Sequence, residues 1–129
     1  MPSTIAQQFM DALQEIEKTR TVDAIVQLFS DDATLARLSH VGDYQGSDGA
    51  DRFWREYLGT FKSLETTFHS VIEDGEQVTL EWESRGELLN GDPLHYCGVS
   101  LFSVADDKVT SFRTYYDSAS FLPKGSRQS

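Results

Sequence analysis

The chain has 129 residues, of which 39% are hydrophobic and 12% aromatic, so we expect one globular domain with enough apolar material to line a cavity as well as fill a core. A formal net charge of -10, from 21 acidic and 11 basic residues, repels phosphate backbones and anionic membranes, so neither nucleic acid nor membrane is expected as a partner. The single cysteine, Cys97, excludes an intramolecular disulfide and a cysteine-based metal site, and the lack of a long apolar run or a leader-like N-terminus predicts a cytoplasmic protein.

Two amphipathic helices are predicted at the start of the chain. The first covers Thr4–Lys18, where Thr4 and Gln7 have the spacing of a capping box and apolar residues recur on one face. Thr21 can cap a second helix, in which apolar residues repeat at three and four positions until Ser30–Asp32.

A short strand over Ala33–Leu38 and a third helix follow. The residues between them include Gly42 and Gly46 without periodicity, which predicts a loop. Ser47 or Asp48 can cap the helix, and one of its flanks carries a largely aromatic stripe formed by Phe53, Trp54, Tyr57, Leu58 and Phe61.

Four strands are predicted in the second half of the chain. Thr66–Glu73 is the first, and Gln77–Asp117 reads as three long antiparallel strands joined by two tight turns. Asn90-Gly91 is typical of a type I′ turn with two positive φ angles, and Asp106-Asp107 separates the last two strands.

The order of elements predicts an α+β fold in which helices pack on one face of a curved antiparallel sheet. We expect Ser118–Leu122 to form one helical turn. The predicted domain covers residues 1–122, and residues 123–129 form a polar tail.

Four strings of the sequence resemble the nuclear-transport-factor-2-like superfamily, in its SnoaL-like and ketosteroid-isomerase-like branch. The resemblance implies a cone-shaped roll with three N-terminal helices on the concave face of the sheet, an interior pocket for small, mostly hydrophobic molecules, and a homodimer formed through the outer face. The strings are IVQLFSDDATL at Ile25–Leu35, YQGSDGADRFW at Tyr44–Trp54, DGEQVTLEW at Asp74–Trp82 and DDKVTSFRTYYD at Asp106–Asp117.

Two reactions known in that superfamily do not fit these residues. Ketosteroid isomerisation needs a carboxylate base, a tyrosine and a protonated aspartate, but the matching positions hold Arg37, Phe9 and Ser100. Epoxide hydrolysis of the limonene type needs an arginine between two aspartates, and Glu83 is the one comparable acid that remains in the matching places.

Glu83 and Asp117 are the candidate catalytic acids that the resemblance leaves. Asp117, in TYYD, matches the acid-base aspartate of SnoaL-type cyclases, although an aspartate before a helical turn is also a typical cap. Arg37 is the predicted pocket cation, which either pairs with Glu83 or Asp117, reaches solvent, or binds a carboxylate or enolate oxygen of a ligand. The other predicted ligand-binding residues are Trp54, Tyr57, Ser100, Phe102, Thr114 and Tyr116.

The resemblance therefore implies a protein that binds a small hydrophobic or aromatic molecule, with acid-base isomerase, cyclase or lyase chemistry as one expectation and a non-catalytic binding or dimerisation module as the alternative. No metal and no organic cofactor is implied.

Which residues of the long hairpin face the pocket stays open in the sequence. Alternation gives two sets, and apolarity favours the first set while the resemblance favours members of the second. The first set is Leu80, Trp82, Ser84, Cys97, Val99 and Leu101, and the second is Glu81, Glu83, Arg85, Tyr96, Ser100 and Phe102.

Overall fold

The structure of the protein is a computed structural model that describes residues 3–38 and 40–122, with the backbone alone described for residues 40–43. The tail expected at residues 123–129 lies outside the described residues. In chain order the elements are α1 Thr4–Thr19, α2 Asp23–Val26, β1 Phe29–Arg37, β2 His40–Gln45, α3 Gly46–Gly59, β3 Phe61–Asp74, β4 Gln77–Leu88, β5 Pro93–Ala105, β6 Lys108–Tyr116 and a 3₁₀ helix Ser118–Phe121.

Helix α1 is capped by Ser3, and not by Thr4 as predicted. The Ser3 hydroxyl accepts a hydrogen bond from the Ala6 N–H at 3.2 Å, as an N-cap side chain does. The helix ends where Arg20 takes a left-handed conformation (φ 65°) and its N–H donates to the Ile16 carbonyl at 2.9 Å.

The second helix is shorter than predicted, because sheet hydrogen bonds replace helical ones after Val26. The Val109 N–H of β6 donates to the Leu28 carbonyl at 2.8 Å, and Phe29 pairs with Val109. β1 therefore begins four residues before the predicted start at Ala33.

Six strands form one sheet within the described residues, in the order β2-β1-β6-β5-β4-β3. Neighbouring strands are antiparallel except β1 and β6, which are parallel, so the sheet is mixed and not purely antiparallel as predicted. β2 occupies part of the predicted loop, since Tyr44 and Gln45 pair with Leu35 and Thr34 of β1. The α+β class with helices on one face of a curved, unclosed sheet is confirmed.

The tight turn predicted at Asp106-Asp107 is confirmed, whereas Asn90-Gly91 does not form the predicted type I′ turn. At Asn90-Gly91 only Gly91 has a positive φ, of 91°, and a four-residue loop joins β4 to β5. Asp106 and Asp107 instead have φ values of 52° and 61°, the pair of positive angles that a two-residue hairpin turn needs.

The register between β4 and β5 settles which side chains face the helices. Leu80 pairs with Ser100, and Ser84 pairs with Tyr96, so even-numbered residues of both strands share the buried concave face. Each of the two sets therefore contains residues of both faces. In the first set the β4 residues face the helices and the β5 residues face away, and in the second set the reverse holds. Gly98 lies opposite Trp82, and a Cβ there would come within 2.7 Å of the Trp82 ring.

Helices α1 and α3 cover the concave face through aromatic contacts. The ring of Phe9 lies 4.8 Å from that of Phe102 and 5.5 Å from that of Phe112, and Trp54 of α3 lies 5.4 Å from Phe112. Burial of these rings contributes to the hydrophobic stabilisation of the helix–sheet interface. No helix in the described ranges is long and apolar enough to cross a membrane.

Candidate functional site

A partly open cavity of about 70 Å³ lies between the helices and the concave face of the sheet. One buried water needs roughly 10 to 15 Å³ by this kind of measure, so the cavity has room for several waters or a small organic group. Its wall is mainly aromatic, and the rings that line it are Phe9, Phe53, Trp54, Tyr57, Phe61, Phe68, Trp82, Tyr96, Phe112, Tyr116 and Phe121.

Six of the nine residues predicted for the site line this cavity. They come from β1, α3, β5 and β6, and they are Arg37, Trp54, Tyr57, Ser100, Thr114 and Tyr116. Phe102, Glu83 and Asp117 do not line it. Phe102 is 1% exposed and packs against Phe9 in the core.

Glu83 lies on the convex face of the sheet, so the expectation that it faces the pocket is wrong. Its neighbours Trp82 and Ser84 line the cavity, and strand alternation turns Glu83 the other way. Its carboxylate accepts hydrogen bonds from Arg85 at 3.1 Å and His69 at 3.0 Å, and it contacts His95. The histidine hydrogen bonds lower the pKa of Glu83, because they stabilise the ionised carboxylate.

Asp117 is a capping residue in this structure. Its carboxylate accepts from the Ala119 N–H at 3.1 Å and from the Ser120 hydroxyl at 3.3 Å, which holds the first turn of the 3₁₀ helix. The side chain is exposed and outside the cavity lining. The structure thus favours the capping interpretation of the TYYD string.

Arg37 lines the cavity and is held from one side. Its Nη2 donates to the Tyr44 hydroxyl at 2.9 Å and to Glu56 Oε1 at 3.0 Å, and the Tyr44 hydroxyl also hydrogen-bonds Glu56. The guanidinium carbon lies 5.6 Å from the centre of the Phe53 ring. The internal partner of Arg37 is therefore Glu56, and not Glu83 or Asp117 as considered from the sequence.

A chain of polar groups crosses the sheet beside Arg37. The Trp82 indole N–H donates to the Ser100 hydroxyl at 2.9 Å, and Ser100 and Thr114 hydroxyls are 2.9 Å apart. Thr114 pairs with Arg37 in the parallel β1–β6 register, so this chain leads to the guanidinium end of the cavity.

A second polar group, centred on Glu17, was missed by sequence analysis. Glu17 is 6% exposed, and its carboxylate accepts from the Tyr57 hydroxyl at 2.7 Å, the Thr66 N–H at 2.9 Å and the Thr66 hydroxyl at 2.5 Å. The Thr66 hydroxyl is also 2.7 Å from that of Ser84. Tyr57, Thr66 and Ser84 all line the cavity, so Glu17 sets the polarity of this part of its wall.

Burial shifts the pKa values of Glu17 and of two tyrosines in the cavity wall. It raises the pKa of Glu17 above its ordinary value of 4.5, although the donated hydrogen bonds from Thr66 and Tyr57 oppose the shift. Burial likewise raises the pKa values of Tyr57 and Tyr96, so both phenols stay protonated near neutral pH. The sequence held a signal for Glu17, since it continues the four-residue spacing of Ile5, Phe9 and Leu13 on the apolar face of α1.

One buried donor of the cavity wall has no protein partner. Trp54 is 2% exposed and lines the cavity, and its indole N–H meets no hydrogen-bond acceptor within the described part of the chain. Leaving such a donor unpaired costs about 1–3 kcal/mol. A ligand oxygen in the cavity could satisfy it.

Comparison with known proteins gives the same fold and one family. A family model described as a SnoaL-like domain matches residues 6–112. Among solved structures, an NTF2-like protein from Anabaena variabilis is similar, with 19% identity, coverage of 91% of this chain and 94% of that one, and a TM-score of 0.78. A comparison with curated proteins found no match.

Two further solved structures were determined with small molecules. A protein of ketosteroid isomerase-like fold from Catenulispora acidiphila, in complex with trimethylamine, has 16% identity, coverage of 99% and 96%, and a TM-score of 0.82. TerC, co-crystallised with polyporic acid, has 16% identity, coverage of 92% and 95%, and a TM-score of 0.76.

Proposed function

Because the chain belongs to the SnoaL-like domain family, we propose that it binds a small, mostly aromatic molecule that carries an acceptor oxygen, in the cavity between its helices and its sheet. The observation that carries this proposal is the unpaired Trp54 N–H, buried in the wall of an otherwise aromatic cavity. Apolar walls with a few placed polar groups are the usual form of a small-molecule site.

Arg37 supports an acceptor oxygen as the ligand's polar group. Its contacts with Tyr44 and Glu56 use Nη2, and a guanidinium has five N–H donors in all. Trp54 and Arg37 each lie beside Phe53, at 4.9 Å between ring centres and 5.6 Å from the guanidinium carbon respectively. A carboxylate or carbonyl oxygen suits this donor-rich end.

The two small molecules of the similar structures are of opposite character, an acid in TerC and an amine in the Catenulispora protein. The Trp54 N–H and the Arg37 N–H groups other than those of Nη2 have no hydrogen-bond partner among the described residues, and these donors favour the acid. An amine in the same place would face a guanidinium and an N–H, neither of which can accept a hydrogen bond.

Binding without catalysis is the form of the function that the cavity supports best. Among the described residues that line it, Arg37 is the one with a formal charge at neutral pH, and it is already paired with Glu56. Acid-base chemistry needs a titrating group beside the ligand, and the two acids expected for that role, Glu83 and Asp117, lie outside the lining.

A homodimer through the convex face is the quaternary arrangement that we propose for this protein, and a cytoplasmic location is proposed with it. Tyr115 is 45% exposed there, and Val99 and Leu101 are half-buried on the same face. A dimer mass by light scattering at micromolar concentration would support the arrangement, and a monomer mass would contradict it.

Calorimetric titration with single-ring probes tests the proposed ligand. Benzoate and acetophenone should bind more tightly than benzylamine, which is of similar size but has an ammonium group and no acceptor for Arg37 and Trp54. Arg37→Ala and Trp54→Phe should each weaken benzoate binding about tenfold, since each removes a donor worth roughly 1.5 kcal/mol to a charged acceptor. Arg113→Ala is the matched control, because Arg113 is exposed outside the cavity.

Two results would contradict the proposal. One is the absence of binding of every acceptor-bearing probe to the wild-type protein. The other is benzoate affinity that stays at the wild-type value in both Arg37→Ala and Trp54→Phe, with both variants folded by circular dichroism.

A further inference from the structure

We infer that the ligand also carries a hydrogen-bond donor, a hydroxyl or amino group, which binds the oxygens of Tyr57 and Ser84 in the cavity wall, a pair that we call the acceptor wall. This inference rests on the proposed function and narrows its ligand class. It follows from the directions in which the hydroxyl protons around Glu17 must point.

At a pH where Glu17 is ionised, its carboxylate fixes those directions, because an ionised carboxylate can only accept hydrogen bonds. The Tyr57 hydroxyl is 2.7 Å from Glu17 Oε2 and must donate to it. The Thr66 hydroxyl, 2.5 Å from the same oxygen, must also donate to it. Each of these hydroxyls has one proton, so neither has another to offer the cavity.

The same constraint passes on to Ser84. Its hydroxyl is 2.7 Å from that of Thr66, whose proton is committed to Glu17, so Ser84 is the donor in that contact. Ser84 and Tyr57 both line the cavity. What these two hydroxyls present to it is therefore oxygen lone pairs, and neither of them has a proton left to donate.

Arg37 and Trp54 contribute donors to the same lining, whereas Tyr57 and Ser84 contribute acceptors, so the lining has a donor part and an acceptor part. A ligand that satisfies both parts bears an acceptor for Arg37 and Trp54 and a donor for Tyr57 and Ser84. A hydroxybenzoate or an aminobenzoate has this combination, and benzoate has only the acceptor.

The ratio of two dissociation constants isolates the inferred contact. Titrations at pH 8 would compare benzoate with 3- and 4-hydroxybenzoate, 4-aminobenzoate and 4-methoxybenzoate. At least one donor-bearing acid should bind about fivefold to tenfold more tightly than benzoate, the gain expected for one added hydrogen bond. The methoxy compound, which cannot donate, should bind no more tightly than benzoate.

Variants then assign the gain to the acceptor wall. In Tyr57→Phe and in Ser84→Ala the ratio of benzoate to best donor-bearing acid should fall towards one, while benzoate itself still binds. Tyr115→Phe, an exposed tyrosine on the convex face, is the matched control and should keep the wild-type ratio. Using two separate variants keeps the test decisive if one of them fails to fold.

Each outcome decides between the two proposals. If benzoate binds but no donor-bearing acid gains, if the methoxy compound gains equally, or if both variants keep the wild-type ratio, the acceptor wall is refuted and the proposed function stands. If no acid binds at all, the proposed function fails and this inference fails with it.

Discussion

Each side of the sheet has a carboxylate with several hydrogen-bond partners, but the two carboxylates lie in opposite environments. On the concave face Glu17 of the covering helix is buried among three donated hydrogen bonds, and burial raises its pKa. On the convex face the partly exposed carboxylate of Glu83 contacts two histidines and an arginine, and hydrogen bonds from the histidines lower its pKa. The difference teaches that the location of a carboxylate, and not its presence in a matching string, decides what it can do.

Truncation of a large aromatic side chain on each face should give the largest contrast. Phe102→Ala should cost about 3–5 kcal/mol of unfolding free energy, because the ring is 1% exposed and packs against Phe9 at 4.8 Å. Tyr115→Ala, at a residue that is 45% exposed, should change it by no more than about 0.5 kcal/mol in the monomer. Urea unfolding at low protein concentration measures both.

Equal costs for the two variants would mean that the convex face is as tightly covered as the concave one. A concentration-dependent cost for Tyr115→Ala alone would instead point to the proposed homodimer.

The two tryptophans sharpen the comparison within the concave face. Trp82→Phe removes an indole N–H that donates to Ser100 at 2.9 Å, so it should destabilise the protein by about 1 kcal/mol more than Trp54→Phe, which removes an unpaired donor. For ligand binding the order should reverse, with Trp54→Phe the more damaging. Thermal unfolding with and without benzoate measures both effects.

A larger stability loss in Trp54→Phe than in Trp82→Phe, in the absence of ligand, would show that the Trp54 N–H has a partner after all. The premise of the proposed function would then be lost.

Much of the fold could be predicted because its signals are local. The apolar spacing of α1, the aromatic stripe of α3 and the alternation of the last three strands all depend on residues within a few positions of one another. The parallel pairing of β1 with β6 was missed because it joins segments far apart in the chain, such as Leu35 and Phe112. β2 was missed because its residues show no strand periodicity, although it pairs with the neighbouring β1.

The site was predicted in part for the same reason. Trp54 and Tyr57 follow from the helical stripe, and Arg37 from family resemblance. Glu83 was assigned to the pocket by family resemblance, although alternation turns it away from Trp82 and Ser84, which line the cavity. The β5 residues that share their face stayed open, because the register between β4 and β5 depends on the loop that joins them. Glu17 was overlooked because it occupies a position on the apolar face of α1 but has a charged side chain.

The contribution of Glu17 to stability should change with pH in the direction that a raised pKa predicts. Its folded-state pKa is raised above the ordinary 4.5, so the folded protein binds this proton more tightly than the unfolded chain does. Its contribution to stability is therefore full below the unfolded value and is lost as pH rises through the folded one. The unfolding free energy of wild type minus that of Glu17→Gln, measured by urea from pH 4 to pH 8, should fall with rising pH.

A difference that rises over this range would mean that the donated hydrogen bonds outweigh burial. Glu17 would then be ionised in the folded protein at lower pH than in the unfolded chain.

Glu83 should show the smallest effect and the opposite sign. Hydrogen bonds from His69 and His95 lower its folded-state pKa below the ordinary 4.5, so its contribution to stability is present above that value and is lost as pH falls through the folded one. The difference between wild type and Glu83→Gln should accordingly shrink on acidification below pH 5. Because the Glu83 side chain is partly exposed to solvent, high salt should reduce the difference, whereas that of Glu17→Gln should persist. A salt-resistant effect at Glu83 would place this carboxylate in a covered environment, and the contrast between the two faces would no longer hold.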